Sequence, residues 1–113
     1  MNGRWIFMIA VIAFYTSCNK LDIEPGTPLC IRKQIKVYDR DTHCGSAHVD
    51  AYWFQNKTVY VFEPGSCGAD MSSPVMDSDC NQLGSLGGFS GNLYINGVDF
   101  HKNAVFVKTV WKK

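Results

Sequence analysis

Between Thr58 and His101 the sequence has no lysine and no arginine, although five carboxylates (Glu63, Asp70, Asp77, Asp79 and Asp99) fall in that interval. This absence excludes a phosphate cradle of P-loop type in the glycine-rich run Leu83 to Gly91, because such a loop needs Gly-Lys-Ser/Thr opening a helix. A long apolar run is missing too. Trp5 to Tyr15 (WIFMIAVIAFY) holds eleven apolar residues, whereas a bilayer-spanning helix needs roughly 20. An EF-hand built on Asp77-Ser-Asp79-Cys-Asn81 would need glycine at position 82 and glutamate at position 88, where this chain has Gln82 and Gly88. No spacing sets a nucleophile beside a base. With 113 residues there is room for one small domain and not two.

What is present at the start reads as an export signal. Arg4 and the N-terminal amine precede the apolar run, and Thr16, Ser17 and Cys18 follow it. Tyr15-Thr-Ser-Cys18 resembles a bacterial lipobox, at which a signal peptidase cuts just before a diacylated cysteine. The expectation is a signal peptide over 1–17, a lipidated Cys18 with a short tether to residue 27, and one domain over 28–113. The lipid would hold the chain to a membrane, each buried CH₂ contributing about 0.8 kcal/mol. Removing residues 1–17 takes away Arg4 and leaves ten basic against ten acidic side chains. Overall charge therefore argues for neither nucleic acid nor an anionic membrane surface as partner.

Cysteine parity points the same way. Five cysteines is an odd count, and lipid on Cys18 leaves Cys30, Cys44, Cys67 and Cys80, which allow two disulfides in three connectivities. An exported protein makes bridges the default over metal binding. Cys67 and Cys80 are thirteen residues apart, and closing that loop is worth about 3 kcal/mol in the chain-entropy view. We expect Cys67–Cys80 and, with it, Cys30–Cys44.

Within the domain, Thr27-Pro28 suits a helix start, with threonine as N-cap and proline first in the helix. Ile31, Ile35 and Tyr38 recur at helical spacing, flanked by Leu29 and Val37, which predicts a helix over 28–40. A hairpin should follow, His48 to Gln55 and Thr58 to Glu63, reversing at Asn56. Val49, Ala51 and Trp53 share one strand face and Tyr52 and Phe54 the other, so both faces call for cover. The helix can supply one cover. The glycine-rich stretch, with Leu83, Leu86 and Phe89, can supply the other, its backbone lying close where glycine permits. Asn96-Gly97 reads as a turn, and residues 103–111 as the last strand. The expected fold is α+β: one N-terminal helix packed on a three-stranded antiparallel sheet, with a long disulfide-stapled loop over 65–101 on the opposite face.

Three groupings could carry chemistry, and each has a plainer reading. His43, Cys44 and His48 are close enough for a metal site, yet read better as surface histidines and half a disulfide. Asp70, Asp77, Asp79, Asn81 and Asp99 offer oxygen ligands to a calcium-like cation, while Asp and Asn bonding their own backbone would make only a capped turn. Asp99 and His101, with Asp77 and Asp79, are candidates for acid–base work in a small hydrolase.

The combination VYVFEPGSCGAD, DSDCNQLGSLGGFSGN, INGVDF and a final tryptophan resembles a family of small bacterial lipoproteins known only as a domain of unknown function. The likeness extends over residues 28–112 and includes the lipobox cysteine, Cys30-Ile31 at the helix start, the tyrosine-rich hairpin, and Gly87, Gly88 and Gly91. Relatives often carry glycine where this chain has Asn56, and the likeness does not extend to Cys44. It implies one fold and an envelope location, and it brings no activity and no catalytic residues. The expectation is a non-enzymatic envelope lipoprotein, periplasm-facing or at the cell surface, that holds a protein, peptide or glycan through the 65–101 surface. No cofactor and no nucleic acid is expected. A divalent-cation module, and after it the hydrolase, are the alternatives.

Overall fold

The computed structural model describes residues 21–66 and 71–113. The expected signal peptide, Cys18, Cys67 and Asp70 lie outside the described residues.

Helix α1, Leu29–Asp41, buries Ile31 and Ile35 completely. Pro28 takes the N-cap position and no side chain caps the helix; the Thr27 hydroxyl donates instead to Glu24 O at 2.7 Å. The helix therefore starts one residue later than the Thr27-Pro28 pattern suggests. Its other end is held from far along the chain: Lys113 Nζ donates to Asp39 O, Asp39 Oδ1 and Thr42 O at 2.7–3.0 Å. A cation there satisfies terminal carbonyls and complements the negative end of the helix dipole.

The hairpin forms as the alternation dictates. Strands β1 (His48–Phe54) and β2 (Lys57–Glu63) pair antiparallel with Val49 opposite Phe62 and Ala51 opposite Tyr60. Gln55 and Asn56 both take positive φ, 53° and 64°, the two-residue turn whose twist matches the flanking strands.

The sheet has five strands, not three. Segment 65–101 holds regular structure rather than a single long loop: β3 (Ser72–Asp77), β4 (Gln82–Gly87), the small hairpin β5 (Tyr94–Ile95) and β6 (Val98–Asp99), and the start of helix α2 (Phe100–Asn103). β7 (Val105–Lys112) then returns beside β1, giving the order β4-β3-β2-β1-β7, antiparallel throughout, with β5–β6 as a separate two-stranded sheet. β7 does not alternate as the sequence suggests. Its register against β1 slips at Val107 and again at Val110, so Val110 and the adjacent Trp111 enter the same core.

Both faces of the sheet are covered. On one side Ile31 and Ile35 pack with Val49, Ala51, Tyr60, Phe62, Val110 and Trp111, and Ile23 of the tether joins them. On the other, Phe54, Val59, Val61 and Val75 meet Leu86, Ile95 and Phe100. The cover expected from the glycine-rich stretch is there, with one correction: Phe89 is 91% exposed, and Ile95 and Phe100 fill its place. A Cβ at Gly84 would come within 3.0 Å of Ile95 Cδ1, so glycine permits the close approach of the small hairpin.

The bridges also differ from expectation. Cys30 of α1 is bonded to Cys80 of the β3–β4 turn, which rules out both Cys67–Cys80 and Cys30–Cys44. Cys44 is itself disulfide-bonded, to a partner outside the described residues. Cys30–Cys80 spans fifty residues and ties the helix to the sheet, a constraint worth about 4 kcal/mol by loop closure.

Candidate functional site

Four small residues end β4 and turn the chain back. Gly87 and Asn92 exchange backbone hydrogen bonds at 2.8 and 3.2 Å, and Gly91 N donates to Gly88 O at 3.1 Å. Asn92 Nδ2 donates to Ser85 O and Tyr94 O at 2.7 and 2.8 Å, while its Oδ1 accepts from Tyr94 N at 3.3 Å. Gly87, Gly88 and Gly91 all have positive φ, between 66° and 78°, which lets the reversal close without strain. At the tip of this tied turn stands Phe89, with Leu93 and Tyr94 about half exposed beyond it. The Phe89 ring is 91% exposed. Anchored backbone and an exposed aromatic together form a surface able to bury apolar area against another molecule.

The carboxylates of the same segment are placed differently. Asp77 Oδ1 accepts from the backbone N–H groups of Asp79 and Asn81, both at 2.9 Å, and Oδ2 accepts from Asn81 Nδ2 at 3.2 Å. Chiefly through the Asn81 amide, its carboxyl is held below the usual carboxylate range. Asp77, Asp79 and Asn81 thus share the β3–β4 turn as a self-bonded unit. Asp99 belongs to another element, where it caps α2 by accepting from Lys102 N at 3.1 Å. His101, the second residue of that helix, is exposed and sets its ring edge-on to Phe100. Among the described residues, no group of three or more His, Cys, Asp or Glu side chains could hold a metal ion. His43 is exposed and Cys44 is buried in its disulfide, so these two and His48 do not converge.

A second arrangement escapes sequence reasoning. Asp50 is 8% exposed, and its Oδ1 accepts from the Thr109 hydroxyl at 2.7 Å across the β1–β7 pairing. His48 sets Nε2 at 3.5 Å from Asp50 Oδ2 and Nδ1 at 3.0 Å from Ser46 O, a carbonyl that can only accept. Ser46, His48 and Thr109 border an open cavity of about 420 Å³ lined by Gly45–His48, Thr109, Lys112 and Lys113. A lone aspartate inside the apolar run HVDAYWF is the one sequence signal that marks it.

Comparison with curated proteins and with solved structures gives no match. Residues 34–113, from within α1 through every strand, match the family described as "Domain of unknown function (DUF6970)". The chain is a member of that family.

Proposed function

We propose that this protein is a non-enzymatic interaction module of the bacterial cell envelope, held to a membrane by lipid on Cys18, and that it contacts a protein, peptide or glycan through the Gly87–Tyr94 turn. The observation that carries this reading is Phe89, 91% exposed on a turn fixed by its own hydrogen bonds. An aromatic side chain supplies large contact area at low cost in lost rotamers, and a fixed backbone reduces the ordering penalty of binding. The segment that carries the turn, Thr58 to His101, has carboxylates and no lysine or arginine, which favours a ligand that is apolar at its centre and neutral or basic at its rim.

Site-specific photo-cross-linking in intact cells tests the reading. A photoreactive side chain at position 89 should give a discrete adduct that one at position 36, on the exposed side of α1, does not. Phe89→Ala should abolish competition by added unlabelled protein. Equal labelling from both positions would remove this surface from consideration.

A further inference from the structure

We propose that the cavity between the Gly45–His48 segment and the end of β7 is a binding site for a phosphate group. Its lining carries two lysines, a histidine, a serine and a threonine. Lys112 is exposed at the rim, and the structure gives its ammonium no ion pair among the described residues. Lys113 is different: its Nζ is occupied by Asp39 and Thr42, so it shapes the wall and leaves Lys112 as the free point charge. The imidazole of His48 is oriented by Ser46 O on one side and Asp50 on the other. Asp50 is buried, with one oxygen taken by the Thr109 hydroxyl and the other facing His48. The Lys112 ammonium beside the polar backbone of a Gly-Ser turn, which His48 braces through Ser46 O, suits a compact oxyanion.

The position of the site says where such a group could come from. Glu24 N donates to Val110 O at 2.8 Å, and Ile23 packs with Trp111, so the tether leaves the domain beside Lys112. Cys18 is three residues upstream of Leu21, at most about 10 Å of extended chain. A lipid there would bring phospholipid headgroups to this corner. Inorganic phosphate or a soluble phosphomonoester has the same chemistry and needs no membrane. The Phe89 turn lies at the other edge of the sheet, four strand spacings or about 19 Å away, so the two surfaces are separable.

The test is a backbone-amide and imidazole NMR titration of the full chain in non-ionic detergent. One arm adds inorganic phosphate, with sodium chloride at matched ionic strength as reference. A second arm adds phosphatidylglycerol to phosphatidylcholine bicelles. Saturable shifts confined to Gly45–His48 and Thr109–Lys113 are expected, weakened at least about tenfold in Lys112→Ala and in His48→Gln, with unchanged melting of Lys112→Ala showing that the fold is intact. Saturation by inorganic phosphate identifies a site for soluble phosphate groups; saturation by phosphatidylglycerol alone identifies a headgroup site. The phosphate arm is independent of lipid on Cys18 and of any partner at Phe89. Absence of saturable shifts in both arms, or shifts that persist unchanged in both variants, would overturn the assignment.

Discussion

Phe89 and Phe100 are eleven residues apart in sequence and meet opposite environments, 91% and 1% exposed. Phe100→Ala should cost about 3–5 kcal/mol, because it empties a site packed by Phe54 and Tyr52. Phe89→Ala should leave stability within about 0.5 kcal/mol of the parent while removing contact with a partner. Urea unfolding of the two variants separates these roles. Tyr38 offers a second comparison. Its hydroxyl is buried without a hydrogen-bond partner among the described residues. Burial, with a smaller effect of Glu63, pushes its pKa up to about 12 from 10.0. Between these values the unfolded chain gives up the phenolic proton and the folded chain keeps it, so stability is full below the lower value and falls as pH rises through the window. Tyr38→Phe should abolish that alkaline loss and, by removing an unsatisfied group, change neutral-pH stability by no more than about 1 kcal/mol. Asp77 has the opposite sign. Its lowered pKa contributes stability above the ordinary carboxylate range that is lost as pH falls through the folded value. Asp77→Asn should flatten the acid side of the stability profile, read from urea midpoints taken from neutral pH downward.

At the scale of elements, legibility follows how local the determining interactions are. The β1–β2 hairpin could be read because alternation and the turn residues both lie within sixteen residues. β3 and β4 could not. Pro74 sits inside one and Gly84 inside the other, and each residue argues against a strand unless neighbours supply the pairing. The last strand was visible, but the slips at Val107 and Val110 depend on β1 and leave no mark in its own pattern. The Cys30–Cys80 bridge was illegible for a similar reason. Loop length favours Cys67 as the partner of Cys80, whereas packing of α1 on the sheet brings Cys30 there. Peptide mapping without reduction should recover a Cys30–Cys80 pair. Replacing both cysteines by alanine should cost about 2–5 kcal/mol and lower hydrogen-exchange protection around Ile31 first. Recovery of Cys67–Cys80 instead would contradict the fold at that point. Of the candidate site, the glycine-rich stretch was legible as a surface, while the part of Phe89 was reversed, since nothing in LGSLGGFSG says which apolar residue turns inward.

At the scale of the whole molecule, the sheet ends on one side at the outer edge of β7, where Val105, Phe106 and Val107 are each more than half exposed. Lys108 and the register slips are the kind of feature that keeps such an edge from templating another strand. The mass of the mature protein from membranes should show a lipid increment on a chain beginning at Cys18, with four thiols appearing only on reduction. An unlipidated mass would remove the anchor. The tether has a further role in synthesis. Glu24, near the start of the domain, is bonded to Val110, near its end. The stretch before α1 thus finds its seat only after the final strand has emerged, and an interrupted chain would leave that stretch loose and the flank of β1 uncovered. Full-length and prematurely ended molecules would then differ in how this stretch is held, which makes the bond between Glu24 and Val110 a mark of completed manufacture.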